Sequence, residues 1–142
     1  MNNAMPRFHL AFPVHDLDAA KIFYVETLGC DTGRESDLWI DFSLYGHQIV
    51  AHLSPDDCSP VGTNSVDKDN IPCRHFGVIL KWKEWEILRK RIKKLGHEFL
   101  VDPRVRFKSN PGEQGTFFIN DPSGNALEFK TFRNDSMVFE KI

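Results

Sequence analysis

The amino-acid sequence predicts an α+β fold made of two tandem βαβββ modules. The chain has 142 residues, of which 41% are hydrophobic and 27% charged, and this suits one globular domain with a buried core. The same order of elements, namely a strand, a helix that ends in Leu-Gly and a hairpin, occurs twice. The opening histidines, His9 and His75, lie 66 residues apart, and the Leu-Gly pairs at 28–29 and 95–96 lie 67 apart. Such an internal repeat predicts a duplicated architecture.

The first module opens with an alternating strand over 8–14, which places four apolar side chains on one face: Phe8, Leu10, Phe12 and Val14. A helix follows, for which Asp16 or Asp18 can act as the N-cap and which Gly29 ends. A weaker strand near 31–34 comes next. The module closes with a hairpin of strands 39–44 and 47–53 around Tyr45-Gly46.

The second module repeats this order after a polar segment, 54–72, which contains three prolines and reads as a linker or long loop. Its predicted elements are a strand over 73–80, a helix with a stripe of Trp85, Leu88, Ile92 and Leu95, a weak strand within 98–107, and a hairpin of 116–120 and 125–132. We expect module one at about 6–54 and module two at about 73–133. Together they are expected to form a single domain over 1–142.

Composition and charge exclude several classes of function. Eighteen basic against twenty acidic residues give a net charge of -2, which argues against general affinity for nucleic acid or anionic membranes. The basic run 89–94 is interpreted as the solvated face of a helix. No apolar stretch approaches the roughly 20 residues that span a bilayer, and Met1 to Phe8 lacks a secretory core. Three cysteines without a CxxC pair favour a reducing, cytoplasmic location.

Four metal-ligating side chains share the sheet face that the helices are not expected to cover. They are His9, His52, His75 and Glu128. A single strand histidine is usually only a partly exposed polar residue. Four such groups at matched positions of two repeats, on a mixed sheet that curls, instead predict a metal-binding cleft. Three imidazoles and a carboxylate suit Zn²⁺, Fe²⁺, Mn²⁺, Ni²⁺ or Co²⁺, and two His with one Glu form the facial triad of non-haem iron enzymes.

Two motifs resemble the vicinal oxygen chelate superfamily, which includes glyoxalase I, extradiol dioxygenases and fosfomycin- and bleomycin-resistance proteins. The first runs from Phe8-His9-Leu10-Ala11-Phe12-Pro13-Val14-x-Asp16-Leu17 to Phe23-Tyr24-x(3)-Leu28-Gly29. The second is Asp121-Pro122-Ser123-Gly124-Asn125-x-Leu127-Glu128. Within the superfamily, the segments 39–42, 46–53 and 111–114 look most like small single-domain proteins described as predicted extradiol-type dioxygenases.

The resemblance implies a metal-dependent enzyme that chelates a small substrate through two adjacent oxygens. His9, His75 and Glu128 match the family's shared triad, and His52 stands where glyoxalase I usually has a glutamate. His52 is therefore expected to be a fourth ligand or a general acid/base. The favoured function is a dioxygenase acting on a catechol- or enediol-like compound, with Fe²⁺ favoured and Mn²⁺, Ni²⁺ or Zn²⁺ possible. Since the family commonly dimerises, a homodimer is expected.

Two alternatives remain open at this stage. A fourth protein ligand would leave fewer positions for substrate and O₂, which fits a lyase, isomerase or transferase of the glyoxalase or fosfomycin-resistance type. A metal-free, drug-sequestering protein is the other alternative. The candidate substrate-binding residues are Trp39, which could wall a pocket or lie at its rim, and Arg106. The latter alternates with Arg104 and Lys108 on a strand that could anchor an anion or form an exposed edge.

Overall fold

The computed structural model describes residues 5–59, 61–66 and 69–141 and divides into two compact units, 1–59 and 60–142. The predicted α+β class is confirmed, since each unit combines helical segments with its own mixed sheet. Residues 60, 67 and 68 of the predicted linker and residues 1–4 lie outside the described part. Within that part, no helix is long and apolar enough to cross a membrane.

Unit one contains the β-strands and helices of the predicted first module. These are β1 (His9–Val14), α1 (Leu17–Lys21) continued by a π-helical segment (Ile22–Thr27), β2 (Asp31–Glu35), β3 (Trp39–Leu44), β4 (His47–Leu53) and a 3-10 turn (Pro55–Asp57). The sheet order is β1-β4-β3-β2, with β1 parallel to β4 and the other pairs antiparallel. Asp16 begins α1 as its N-cap, because its Oδ1 accepts a hydrogen bond from the Ala19 amide at 3.0 Å.

One face of this sheet packs under the helix around Tyr24. The Tyr24 ring lies 5.0 Å from the Phe42 ring and 5.3 Å from the Phe12 ring, and Tyr24 is fully buried. Phe8 was predicted on the same face, but it precedes β1 and is 63% exposed. The opposite face leaves His9 and Ala11 exposed, as the alternation of β1 predicts.

Unit two contains more strands than the sequence predicts. Its elements are β5 (Thr63–Val66), β6 (Asp69–Pro72), β7 (His75–Phe76), β8 (Ile79–Leu80), α2 (Trp82–Lys94), β9 (Val101–Arg106), β10 (Gln114–Asn120), β11 (Ala126–Phe132) and a 3-10 turn (Asp135–Met137). The main sheet runs β7-β11-β10-β9, and β8 also pairs with β11. The β5–β6 hairpin corrects the prediction of an irregular linker. Its polar residues carry no apolar alternation, and of its eight residues only Ile71 and Pro72 are buried.

The predicted strand over 73–80 is interrupted at Gly77. A Cβ atom at this position would lie 1.6 Å from the carbonyl oxygen of Glu128, so the chain crosses β11 where only glycine fits. Beneath the sheet, Trp85 packs against Phe117, and its Nε1 donates to the Phe129 carbonyl at 2.9 Å. Leu95 was predicted in the buried stripe of α2, but it follows the last helical residue and is 56% exposed.

Candidate functional site

The sheet face of unit two opposite α2 brings His75 and Glu128 together. On β11, Leu127 and Phe129 are fully buried, so the alternation turns Glu128 to the other face. The parallel register pairs His75 with Ala126, two residues before Glu128 and on the same face. His75 Nε2 lies 3.2 Å from Glu128 Oε1, and the two side chains are 29% and 16% exposed.

Neighbouring groups orient both side chains. His75 Nδ1 lies 2.7 Å from the Pro72 carbonyl oxygen, and because a carbonyl only accepts, Nδ1 carries the proton. Thr116 Oγ1 donates to Glu128 Oε2 at 2.6 Å, which leaves Oε1 for other partners. The Phe118 ring meets the His75 ring edge-on at 5.0 Å. A ring nitrogen and a carboxylate oxygen are thus held toward a common point.

The spacing of these two atoms fits a shared metal ion. Two ligands at about 2.1 Å and at right angles would lie about 3 Å apart. The hydrogen bonds of His75 Nδ1 to a backbone carbonyl and of Glu128 Oε2 to a hydroxyl are of the kind that orient metal-ligating histidines and carboxylates. The same 3.2 Å contact is an ion pair when His75 is doubly protonated, so a metal ion and a proton would compete for these atoms.

His9 of unit one has a similar hydrogen bond at its Nδ1. This atom lies 2.8 Å from the side-chain oxygen of Gln48, its register partner on β4. Since an amide oxygen accepts, Nδ1 carries the proton and Nε2 keeps its lone pair. Gln48 was not among the predicted site residues, although its pairing with His9 follows once β1 and β4 are aligned. Nearby, His47 Nδ1 accepts a hydrogen bond from the Phe8 amide at 2.9 Å.

The strand register separates His52 from His9. His52 pairs with Pro13, four residues along β1 from His9, which is about 13 Å at the usual rise per residue. Side chains that stand perpendicular to the sheet keep about that separation. The position equivalent to Glu128 is instead Val50, two residues after the register partner of His9. The turn glycines at 46 and 124, each four residues earlier, are the signal from which this alignment could have been read.

The four predicted ligands are not found as one group. Across residues 5–59, 61–66 and 69–141, no three His, Cys, Asp or Glu side chains are placed to hold a metal ion. The ligand pair brought into contact is His75 with Glu128. The metal site itself therefore stays a prediction.

The two predicted substrate-binding residues lie on different units. Trp39 is half-buried and pairs with His52 across β3 and β4. On the same strand, Asp41 is almost completely buried, with Oδ2 3.4 Å from Arg34 Nε, and it lines a cavity of about 440 Å³ that also contacts Gln48. In unit two, the Arg106 guanidinium lies 5.0 Å from the Phe107 ring.

Comparisons with known proteins agree on one family. A family model described as Glyoxalase/Bleomycin resistance protein/Dioxygenase superfamily matches residues 8–129. A crystal structure of a glyoxalase/bleomycin resistance protein/dioxygenase from Alicyclobacillus acidocaldarius is 37% identical, with a TM-score of 0.77, and the match covers 98% of this chain and 100% of that one. A comparison with curated proteins found no match.

More distant solved structures share the fold. The fosfomycin resistance protein FosX from Listeria monocytogenes is 16% identical, with a TM-score of 0.66, covering 92% of this chain and 94% of that one. Lactoylglutathione lyase from Agrobacterium tumefaciens is 17% identical, with a TM-score of 0.61, covering 92% and 96%. At these identities the likeness shows the architecture alone.

Proposed function

The chain belongs to the glyoxalase/bleomycin resistance protein/dioxygenase superfamily, and from that premise we propose that it is a metal-dependent enzyme. Its substrate in this proposal is a small catechol- or enediol-like compound, chelated through two adjacent oxygens, and its reaction is a dioxygenation. The observation that carries the proposal is the His75–Glu128 pair, in which Nε2 and Oε1 lie 3.2 Å apart. A half-buried carboxylate whose second oxygen already accepts a hydrogen bond from Thr116 is suited to bind a cation.

We assign the ligand set to His9, His75 and Glu128, with Fe²⁺ favoured and Mn²⁺, Ni²⁺ or Zn²⁺ possible. When bound, such an ion would stabilise negative charge on the chelated substrate oxygens and, as Fe²⁺, would pass electrons from the substrate to O₂. The protein's own contribution is orientation. Gln48 and the Pro72 carbonyl hold the two imidazoles in the tautomer that leaves Nε2 free, and Thr116 holds the carboxylate.

His52 stays outside this ligand set, because the register places it about 13 Å along the strands from His9. Three protein ligands leave enough positions for a bidentate substrate and O₂, which removes the main objection to a dioxygenase. We propose that His52 and Trp39, which are cross-strand neighbours, act on the substrate side, with His52 as a general acid/base.

The first test is metal binding. Glu128→Gln should lower the affinity for Fe²⁺, Mn²⁺ or Zn²⁺ at least tenfold, because it removes the charged ligand and keeps the shape. His52→Ala is the matched control and should bind these ions like the wild type. Unchanged metal content in Glu128→Gln would refute the site. Loss of metal in His52→Ala would restore the four-ligand alternative.

The second test is the reaction. Protein loaded anaerobically with Fe²⁺ should take up O₂ when a catechol panel is added. If it does not, and instead turns over a glutathione hemithioacetal with Ni²⁺ or Zn²⁺, the chain is a lyase or isomerase. If no divalent ion binds or changes its stability, the metal-free sequestering alternative replaces both.

We also propose a homodimer in a reducing cytoplasm. The three cysteines, Cys30, Cys58 and Cys73, form no disulfide bond, which suits a reducing compartment. Mixing His9→Ala chains with Glu128→Gln chains tests whether ligands from two chains form one site. Recovered metal binding in the mixture would support a site shared between two chains. If the mixture binds metal as weakly as each variant alone, all ligands of a site belong to one chain.

A further inference from the structure

The β5–β6 hairpin lies on the same face of the unit-two sheet as the His75–Glu128 pair. Ile71 of β6 packs in a buried cluster with Val101 and Phe118. The Pro72 carbonyl, at the end of β6, accepts the His75 Nδ1 hydrogen bond. The hairpin therefore covers part of the face on which a substrate bound near His75 and Glu128 would lie.

Arg104 of β9 stands on this face beside the pair. Its register partner on β10 is Thr116, the residue that hydrogen-bonds Glu128 Oε2. Two strand spacings, about 10 Å, separate the backbones of β9 and β11, and the long arginine side chain spans part of that distance. A small ligand chelated near Glu128 could thus reach the guanidinium with a group a few bonds from its chelating oxygens.

The hydrogen-bonding capacity of Arg104 is only partly used. Its terminal nitrogen forms an ion pair with the Asp69 carboxylate of β6. Its Nε is buried and, among the described residues, has no hydrogen-bond partner. A buried donor without a partner is costly, and an arginine presents its donors as a planar fork that matches a carboxylate with two parallel bonds.

Other cations on this face are directed to aromatic rings. Lys130 Nζ lies 5.6 Å from the Phe132 ring, and the Arg106 guanidinium lies 5.0 Å from the Phe107 ring. Glu128 pairs with Phe118 on β10. Arg104 pairs with a residue two positions from Phe118, and Arg106 pairs with a residue four positions from it. Arg104 is therefore the cation that combines proximity to the pair with an unused, buried donor.

We propose that Arg104 is a specificity-determining residue that binds a carboxylate of the substrate, and that Asp69 is its internal competitor. The inference rests on the proposed function and names its substrate class, a vicinal diol or enediol that also carries a carboxylate. In the free protein Asp69 neutralises the guanidinium. The substrate carboxylate takes its place and also engages Nε.

The test compares two catechols that differ in this group, using calorimetric titration of the Zn²⁺-loaded protein. The probes are 3,4-dihydroxybenzoate and 4-methylcatechol. Arg104→Gln should weaken binding of the acid by about ten- to a hundredfold, the range for a lost charged hydrogen bond, and that of the neutral catechol less than twofold. Arg89→Gln is the matched control, because this arginine of α2 is paired with Glu86 and lies away from the face that holds His75 and Glu128. It should change neither affinity. Asp69→Asn should strengthen binding of the acid severalfold and leave the neutral catechol unchanged.

The outcomes distinguish a failure of this inference from a failure of the proposed function. If wild type binds both catechols and Arg104→Gln weakens both equally or neither, the inference is overturned and the proposed function stands. An Asp69→Asn variant that binds the acid more weakly than wild type also overturns it, and this variant gives an answer even if Arg104→Gln does not fold. If neither catechol binds wild type, the proposed function fails and the inference with it.

Discussion

Replacing Gly77 by alanine should damage the fold and the candidate metal site together. The added Cβ would lie 1.6 Å from the Glu128 carbonyl oxygen, 2.6 Å from its carbonyl carbon and 3.2 Å from its amide nitrogen. These are backbone atoms of a central strand, so no side-chain rotation relieves the clash. Either the segment that links β7 to β8 or β11 must move by more than 1 Å, since ordinary contacts begin near 3.5 Å.

The size of the effect follows from what holds β11 in place. Within β11, the residues on either side of Glu128, Leu127 and Phe129, are fully buried. The adjacent strand β10 contributes Phe117, which pairs with Phe129 and is equally buried. Overpacking a tight site of this kind costs about 1–3 kcal/mol, and we expect the upper end because the clash involves backbone. Metal sites tolerate ligand shifts of only about 0.2 Å, so metal affinity should also fall at least tenfold.

Urea unfolding followed by tryptophan fluorescence, and metal competition titration with a chromophoric chelator, measure the two effects. A loss of 2–3 kcal/mol should move the unfolding midpoint by about 1 M or more. Gly62→Ala is the control, because a Cβ at Gly62 meets no described atom within 4 Å. It should leave the free energy of unfolding within about 0.5 kcal/mol. If Gly77→Ala behaves like Gly62→Ala in both measurements, the close approach to β11 is wrong.

The remaining predictions concern single hydrogen bonds. Thr116→Val removes the 2.6 Å bond to Glu128 and should lower metal affinity about tenfold in the same titration; unchanged affinity would mean that the carboxylate needs no support. Thr131→Val, on the next strand, is its matched control. Because the Thr131 hydroxyl is buried without a hydrogen-bond partner among the described residues, the free energy of unfolding should rise by about 1 kcal/mol. The metal affinity of this variant should not change. Gln48→Leu removes the acceptor of the His9 Nδ1 proton and should weaken metal binding about tenfold, whereas equal affinity would remove His9 from the ligand set.

Local chemistry accounts for the parts of the fold that the sequence predicted well. The hairpin over 39–53 was correct at both strand boundaries, because its Tyr45-Gly46 turn adopts positive φ at both residues, 51° and 88°, as a tight two-residue hairpin requires. The cap at Asp16 and the helix end at Gly29 have equally local causes. The weak strands were found near their predicted places, with β9 shorter than the predicted 98–107.

Non-local pairing decided the parts that the sequence missed. The β5–β6 hairpin forms in a polar segment whose stability comes from Ile71 packing on Val101 and Phe118, residues far along the chain. The interruption at Gly77 depends on how closely β11 passes, and no pattern within 73–80 reports that distance. The ion pair of Asp69 with Arg104 likewise joins a predicted linker to a predicted edge strand.

The sequence by itself determined which side chains leave the helix-covered faces, because alternation along a strand is a local property with a period of two. It therefore identified His9, His52, His75 and Glu128 as candidate ligands, and the resemblance of two motifs indicated the superfamily to which the chain belongs. Which of these side chains meet was decided only by tertiary structure. Register between strands about forty to fifty residues apart brings His75 to Glu128 and leaves His52 opposite Pro13, since register is set by packing and hydrogen bonding between strands.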